Sequence, residues 1–290
     1  MRKNLMRAAL AALALVMVAP AYADGPGSPG PNEAAPPVRP APTTPPPAAQ
    51  PTAAPQGQTG IVPLGNTGLS LNVPANYRFY SAAEARAFVQ RANQQTPSGE
   101  IYGLLARNGD DIRAPATWAT VVSYDAIGYV QPQTASGLTD ANFETTVRDA
   151  RQTQNRRFEG FATTPSFNAE APYVVWAERV AAPGGASGKD LRYEQKIMGR
   201  QGVAGMTSIG SADQQPAIAA AATTLRGMLS FPEGKRHADF QAASDTVSEY
   251  SVPGLVTGVP TPREGQQLVA VSENGSGQTA FGGLSGYFPW

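Results

Sequence analysis

Residues 191–198 alternate without a break, and that alternation limits what the chain can become. Leu191, Tyr193, Gln195 and Ile197 fall on one side, and Arg192, Glu194, Lys196 and Met198 on the other. Successive side chains of a strand point to opposite faces, so the period of two specifies a β-strand. The charged set predicts a sheet with one wet face. Gly199-Arg200-Gln201-Gly202 then supplies a turn, and Val203–Ile209 returns antiparallel. Within Thr117–Val130 the same period recurs, with Trp118, Thr120, Val122 and Tyr124 opposed to Ala119, Val121 and Ser123.

Other segments surround this hairpin. Leu69–Val73 and Tyr77–Tyr80 read as strands joined by a Pro-Ala-Asn turn. Ser81 followed by Glu84 is a capping box, which predicts a helix to about Gln94 that stops before Pro97. Ile101–Ala106 and Tyr173–Val180 are further strands, and Asp140 opens a helix to about Arg157. Pro216 starts another helix, with Ile218, Ala221, Leu225, Met228 and Leu229 as its apolar stripe and Phe231-Pro232 at its end. A last helical piece covers about His237 to Tyr250. Hairpins outnumber crossovers, so the expected class is α+β: one domain, mainly an antiparallel sheet with helices packed on its faces.

The chain ends differ from this domain in composition. Arg2, Lys3 and Arg7 precede the apolar run Ala8–Val18, and Ala21-Tyr22-Ala23 places small residues at a cut before Asp24. Residues 1–23 thus read as a cleavable secretory signal. The alternative is an uncleaved anchor in the inner membrane facing the periplasm, although the run is shorter than the ~20 residues of a spanning helix. Residues 24–59 are dominated by Pro, Ala, Gly, Gln and Thr, which predicts a disordered linker, either a tether or a plain spacer. At ~3 Å per residue it would reach roughly 100 Å. The α+β domain is expected over 60–260. A Gly-rich tail, 261–290, closes with Tyr287-Phe288-Pro289-Trp290. Those aromatics resemble an outer-membrane barrel terminus, but helices and too few barrel-length strands argue against a barrel.

Composition removes several chemistries. There are 22 basic and 22 acidic residues. Cleavage removes three basic ones and leaves a formal charge of −3, too weak to point to nucleic acid or an anionic membrane surface. With no cysteine there is no disulfide, lipidated N-terminal cysteine, thiolate metal site or cysteine nucleophile. His237 is the single histidine, so a multi-histidine metal site is excluded, while a Ser-His-Asp triad stays open. No cofactor motif is present; Gly199–Gly205 lacks the Lys-Ser/Thr of a phosphate loop and precedes a strand.

Two constellations carry chemistry. His237, Asp239 and Asp245 could form an acid–base group, since histidine titrates near neutrality. Their structural alternative is capping or pairing with Lys235 and Arg236; residues two apart on a helix do not face each other. Arg156, Arg157 and Arg200 could gather into an anion site, because guanidinium forks match carboxylate and phosphate. The structural alternative pairs Arg200 with Glu194 or Glu159. Asn108-Gly109-Asp110-Asp111 reads as a polar turn rather than a calcium loop.

A resemblance runs through Gly60–Gly258. It rests on Gly68–Pro74, on Trp118 with Tyr124 and Gly128-Tyr129, and on Asn155-Arg156-Arg157 with Gly160. Pro172-Tyr173 with Trp176-Ala177, and Gly199-Arg200 with Gly202-Val203, follow in order. Phe231, Gly234, Ala238-Asp239-Phe240, Asp245, Tyr250 and Gly258 complete it. In these the chain resembles the domain-of-unknown-function family 2167, bacterial proteins described as predicted membrane-anchored. The resemblance implies an envelope location and no established activity. Family members usually end in apolar spanning segments, whereas this chain ends in Gly-rich sequence. The opening hairpin and the helix ending at Leu229-Ser-Phe231 are also similar to the PsbP-like fold.

The expected function is a non-enzymatic interaction or binding module in the periplasm or envelope. Its partner would be an envelope protein or a cell-wall component. Membrane association would come only through an uncleaved signal segment or a partner. The alternative is an envelope hydrolase or ligand-binding enzyme using His237 and Asp239, or an Arg156/Arg200 anion site.

Overall fold

The computed structural model describes residues 55–180 and 189–261. The expected signal, residues 24–54 of the expected linker and all of the expected Gly-rich tail except Thr261 lie outside those residues. β1 (Gly60–Pro63) and β2 (Ser70–Val73) form a hairpin. Just before it, Gln58 exchanges two backbone hydrogen bonds with Phe79, so ordered structure begins inside the stretch read as linker. β3 (Tyr77–Ser81) runs into α1 (Ala82–Arg91), where the Ser81 hydroxyl accepts from the Glu84 N–H at 3.3 Å. Ala85, Phe88 and Val89 form the buried stripe of α1.

β4 (Glu100–Arg107) and β5 (Ala119–Asp125) follow, then a 3-10 segment (Pro132–Thr139) and α2 (Phe143–Thr153). The expected Asp140–Arg157 helix is therefore shorter. Asn155, at φ 58°, turns the chain out of it. β6 (Gly160–Asn168) occupies a stretch for which no element was expected. β7 (Tyr173–Arg179), β8 (Leu191–Met198) and β9 (Val203–Gly210) fall close to expectation.

α3 (Gln215–Gly227) buries Ile218, Ala221, Ala222 and Leu225. Leu229 lies not in its stripe but in β10 (Leu229–Ser230), which pairs with β2. The expected helix from His237 to Tyr250 is only one 3-10 turn, His237–Asp239. Asp239 accepts from the Arg236 N–H, and Asp245 from the Gln241 N–H; these local bonds hold turns instead of a helix. α4 (Val252–Thr257) starts at a Ser251 cap and ends at Gly258, φ 72°.

The large sheet is antiparallel throughout, in the order β3-β4-β5-β9-β8-β7-β6, and the small one is β1-β2-β10. The fold is α+β, as expected. One face of the large sheet carries Phe79, Leu105, Val122, Met206, Leu191 and Tyr193 against α3 and the small sheet. The other face is covered twice. α1 packs Phe88 and Val89 on Leu104, Val121 and Ile209. α2 and α4 pack Phe143, Val147, Val252 and Val256 near Trp176, Met198 and Val203.

Between these two apolar covers lies the charged side of β8, an interior strand. Arg192, Glu194 and Lys196 are all buried, so the expected wet face is not wet. Alternation reveals which residues share a face; it does not reveal whether another layer covers that face. No described helix is long and apolar enough to cross a membrane.

Candidate anion-binding site

The buried charges are set in rows by strand register. Glu178 of β7 stands opposite Arg192 of β8, and Trp176 opposite Glu194, which faces Thr207 of β9. Lys196 faces Gly205, which faces Ser123 of β5. A Cβ on Gly205 would lie 2.6 Å from Ser123 Oγ and 3.1 Å from Lys196 Nζ, so glycine leaves the Lys196 side chain its room.

Arg151 of α2 closes on this floor from above. Its Nε donates to Glu178 Oε2 at 3.1 Å, and it also donates to the Thr257 and Val256 carbonyls at 2.7 and 2.6 Å. Trp176 Nε1 donates to Glu178 Oε1 at 2.8 Å. Arg192 pairs with Glu194, which also accepts from Thr207 Oγ1 at 2.7 Å. A fully buried charge survives only when paired and hydrogen-bonded, and both carboxylates meet that condition.

The cations outnumber the acids. Arg151, Arg156, Arg192 and Lys196 share Glu178 and Glu194. Arg156 is the loosest of the pairs, its Nη2 3.5 Å from Glu178 Oε2. Burial, then Arg192 and Arg151, pull the Arg156 guanidinium down to about 10 against the pull of Glu178. Burial also lowers Lys196, which Glu194 opposes. Burial pushes the Glu194 carboxyl up, but Arg192, Lys196 and the Thr207 hydroxyl bring it down to about 2. The Glu178 carboxyl is likewise lowered: burial raises it, and Arg151 outweighs that.

A strap, residues 93–99, crosses over these charges. Arg192 Nη1 donates to the Gln95 carbonyl at 2.7 Å, and Lys196 Nζ to Ser98 Oγ at 2.9 Å. Gln95 Nε2 ties the strap to the Gln154 carbonyl at 3.0 Å. The strap leaves α1 through Asn93, φ 51°, as the chain leaves α2 through Asn155, φ 58°. These are the only non-glycine residues with positive φ among the described residues. Both are helix ends of one kind. The N–H groups of Asn93 and Asn155 bond back to Gln90 and Gln152, and those of Gln94 and Arg156 to Val89 and Arg151. In such a terminus the two residues joined by the longer of these backbone bonds frequently make an apolar contact. At the end of α2 they are Arg151 and Arg156, straddling Glu178.

Where the two helix ends meet, a cleft of about 270 Å³ opens, lined by Asn93, Gln94, Gln95, Asn155, Arg156, Arg157 and Val180. No carboxylate lines it. Arg157 is exposed and takes part in none of the ion pairs among the described residues.

The other candidates are held elsewhere. Arg200 pairs with Asp245 through two hydrogen bonds of 2.8 Å, not with Glu194 or Glu159, and lies outside the cleft. Asp239 is bound to Arg236 by its side chain and backbone. His237 is buried, bonded through Nε2 to the Val130 carbonyl at 2.9 Å and stacked on Tyr129. Burial lowers its pKa, and the Val130 bond opposes that. No hydrogen bond among the described residues joins His237 to Asp239 or Asp245. Of the six residues singled out in the sequence, the cleft gathers Arg156 and Arg157 alone. No group of three or more His, Asp or Glu suited to a metal occurs among the described residues.

Glu178, Arg192, Glu194 and Lys196 escaped the sequence reading because charges on a strand look solvated, and Arg151 because a basic residue in the last turn of a helix reads as an ordinary surface charge. Glu178 two residues after Trp176, on one strand, was a usable signal: a charge sharing a face with an indole.

A family model described as "Protein of unknown function (DUF2167)" matches residues 56–266. No curated protein matches the chain. Among solved structures, the chain is similar to cyanobacterial PsbP (CyanoP) from Synechocystis sp. PCC 6803, at 9% identity and a TM-score of 0.34. That match covers 64% of this chain and 96% of the other.

Proposed function

The chain belongs to the DUF2167 family of proteins of unknown function, and from its own residues we propose that it is an exported, non-enzymatic binding module that acts in the periplasm or at the envelope. One observation carries the binding reading. Arg156 and Arg157 surface together in an acid-free cleft, while His237, Asp239, Asp245 and Arg200 are each committed to a structural partner. A general base must reach a substrate proton; a histidine buried against a carbonyl and a tyrosine ring is poorly placed for that. Export is supported by the basic start, the short apolar run and Ala21-Tyr22-Ala23.

The test is to express the full chain in a bacterium, fractionate the cells, weigh the intact protein and identify what is crosslinked to it in the envelope. The expected species begins at Asp24, is found in the periplasmic fraction and captures a specific partner or ligand in a manner that Arg157→Gln weakens. A mass that retains Met1–Ala23 overturns release. Turnover of an envelope substrate that His237→Ala abolishes overturns the non-enzymatic reading.

A further inference from the structure

We propose that the cleft between Asn93–Gln95 and Asn155–Arg157 is a site for a doubly charged phosphate-class anion, a phosphate or a phosphate monoester. This rests on the binding reading above and names the ligand's chemistry.

The charge balance is the first reason. Four cations meet two carboxylates in the buried network, and the imbalance reaches the surface through Arg156. Asp125, near Lys196, reduces the excess without removing it. An uncompensated buried cation is expensive, and an anion at the mouth of the network relieves that cost. Arg156 feels the excess directly, since Arg192 and Arg151 both repel it.

Donor geometry is the second. Arg156 holds Glu178 through one nitrogen at 3.5 Å, longer than a normal charged hydrogen bond, so much of its fork is uncommitted. Arg157 adds a second guanidinium. Asn93 and Asn155, with polar amide side chains, also line the cleft. The left-handed caps at both asparagines end the two helices, and the residues that leave them share this one cleft. At about 270 Å³ the cleft lies just below the usual range for drug-sized ligands, a size for a compact headgroup.

A rival fails on the same criteria. Arg91, Arg113 and Lys189 also line an acid-free pocket. There Arg91 donates to the Ile112 carbonyl, Lys189 to the Thr117 carbonyl, and Arg113 faces Glu84 at 3.9 Å.

The experiment titrates the mature domain with inorganic phosphate, with glycerol 3-phosphate and with vesicles containing phosphatidic acid, each at low and high salt, by calorimetry and amide NMR. Glycerol and vesicles of neutral lipid are the controls. Saturable binding of phosphate or glycerol 3-phosphate, with shifts centred on Asn93–Gln95 and Asn155–Arg157, is the expected result. Binding to phosphatidic acid vesicles alone identifies the source as lipid. Losing one charge-assisted contact should weaken binding about ten- to a hundredfold in Arg156→Gln, and a comparable drop is expected for the exposed Arg157→Gln. Arg86→Gln, an exposed change of the same charge elsewhere, should leave affinity within about twofold. Equal losses in Arg86→Gln and Arg157→Gln, or no saturable binding in any arm, overturn the phosphate site. If the domain then still captures a ligand of other chemistry in an Arg157-dependent way, the binding reading stands and only the ligand class falls. If it captures nothing, both fall.

Discussion

The two faces of the seven-stranded sheet are built on opposite plans. Under α3 and the small sheet, Leu105, Val122, Leu191, Met206, Ile218 and Leu225 form one continuous apolar core. On the other face the apolar contacts split into two clusters, one under α1 and one under α2 and α4, with buried charges between them. The first face draws its stability from area removed from water, which is non-directional and tolerates repacking. The second depends on stoichiometry: each buried charge needs its partner, and a missing partner costs more than the pair was worth. A face of the second kind is poorly explained by stability alone. Its charges reach the cleft through Arg156, and on the proposed binding reading that opening is what they serve.

That contrast can be broken by substitution. The largest effect is expected from Glu178→Ala, which leaves Arg151 and Arg156 buried without their carboxylate. Urea unfolding should show a loss of about 3–5 kcal/mol. A loss below about 1 kcal/mol would mean that water already screens these charges, and the two faces would not differ in kind. On the apolar face, Leu225→Ala should cost about 2–5 kcal/mol as an ordinary cavity mutation. Its cost should be independent of pH and salt, whereas that of Glu178→Ala should not.

Acid separates the faces next. The folded Glu194 carboxyl sits at about 2 against an ordinary 4.5. Between those values the unfolded chain takes up a proton that the folded chain refuses, so stability falls as pH falls. The contribution is full above about pH 4.5 and is lost progressively toward pH 2. The urea midpoint should follow this slope in the wild type and in Leu225→Ala, and the slope should flatten in Glu194→Gln. An unchanged slope there would assign the acid sensitivity to other carboxylates.

The smallest change sharpens the comparison. Ser123 Oγ is buried in the charged row and has no hydrogen-bond partner among the described residues. Ser123→Ala should be neutral or stabilising by up to about 1 kcal/mol, because it removes an unsatisfied group. A loss beyond about 1 kcal/mol would show that the hydroxyl holds something, most simply an ordered water beside Lys196.

Much of the sheet was legible in the sequence, and the layer over its charged face was not. β8 announces itself because its alternation is unbroken over eight residues, β9 because the Gly199–Gly202 turn sends the chain back beside it, and β5 because β-prone residues fill a two-residue period. β6 is hidden by two register shifts, at Phe161/Thr163 and Thr163/Ser166, which destroy its period. β10 is two residues long, too short for any period. α4, Val-Pro-Gly-Leu-Val-Thr, contains the residues that usually deny a helix, and it is α4 with α2 that buries the charges. Missing it made a covered face look wet. The same gap divides the site: Arg156 and Arg157 were legible as candidate anion ligands, whereas the buried charges of β7 and β8 pass as solvated strand residues and Arg151 as a solvated helix residue.

The bonds from Arg151 to the Val256 and Thr257 carbonyls span 105 and 106 residues. A chain that emerges amino end first, from a ribosome or through a translocation channel, presents Arg151 and Glu178 long before the segment that seals them. Until residue 257 has arrived, that charge network stands open to water on one side. Completion of this half of the domain therefore waits on the six residues of α4, which follow every strand of the sheet they seal.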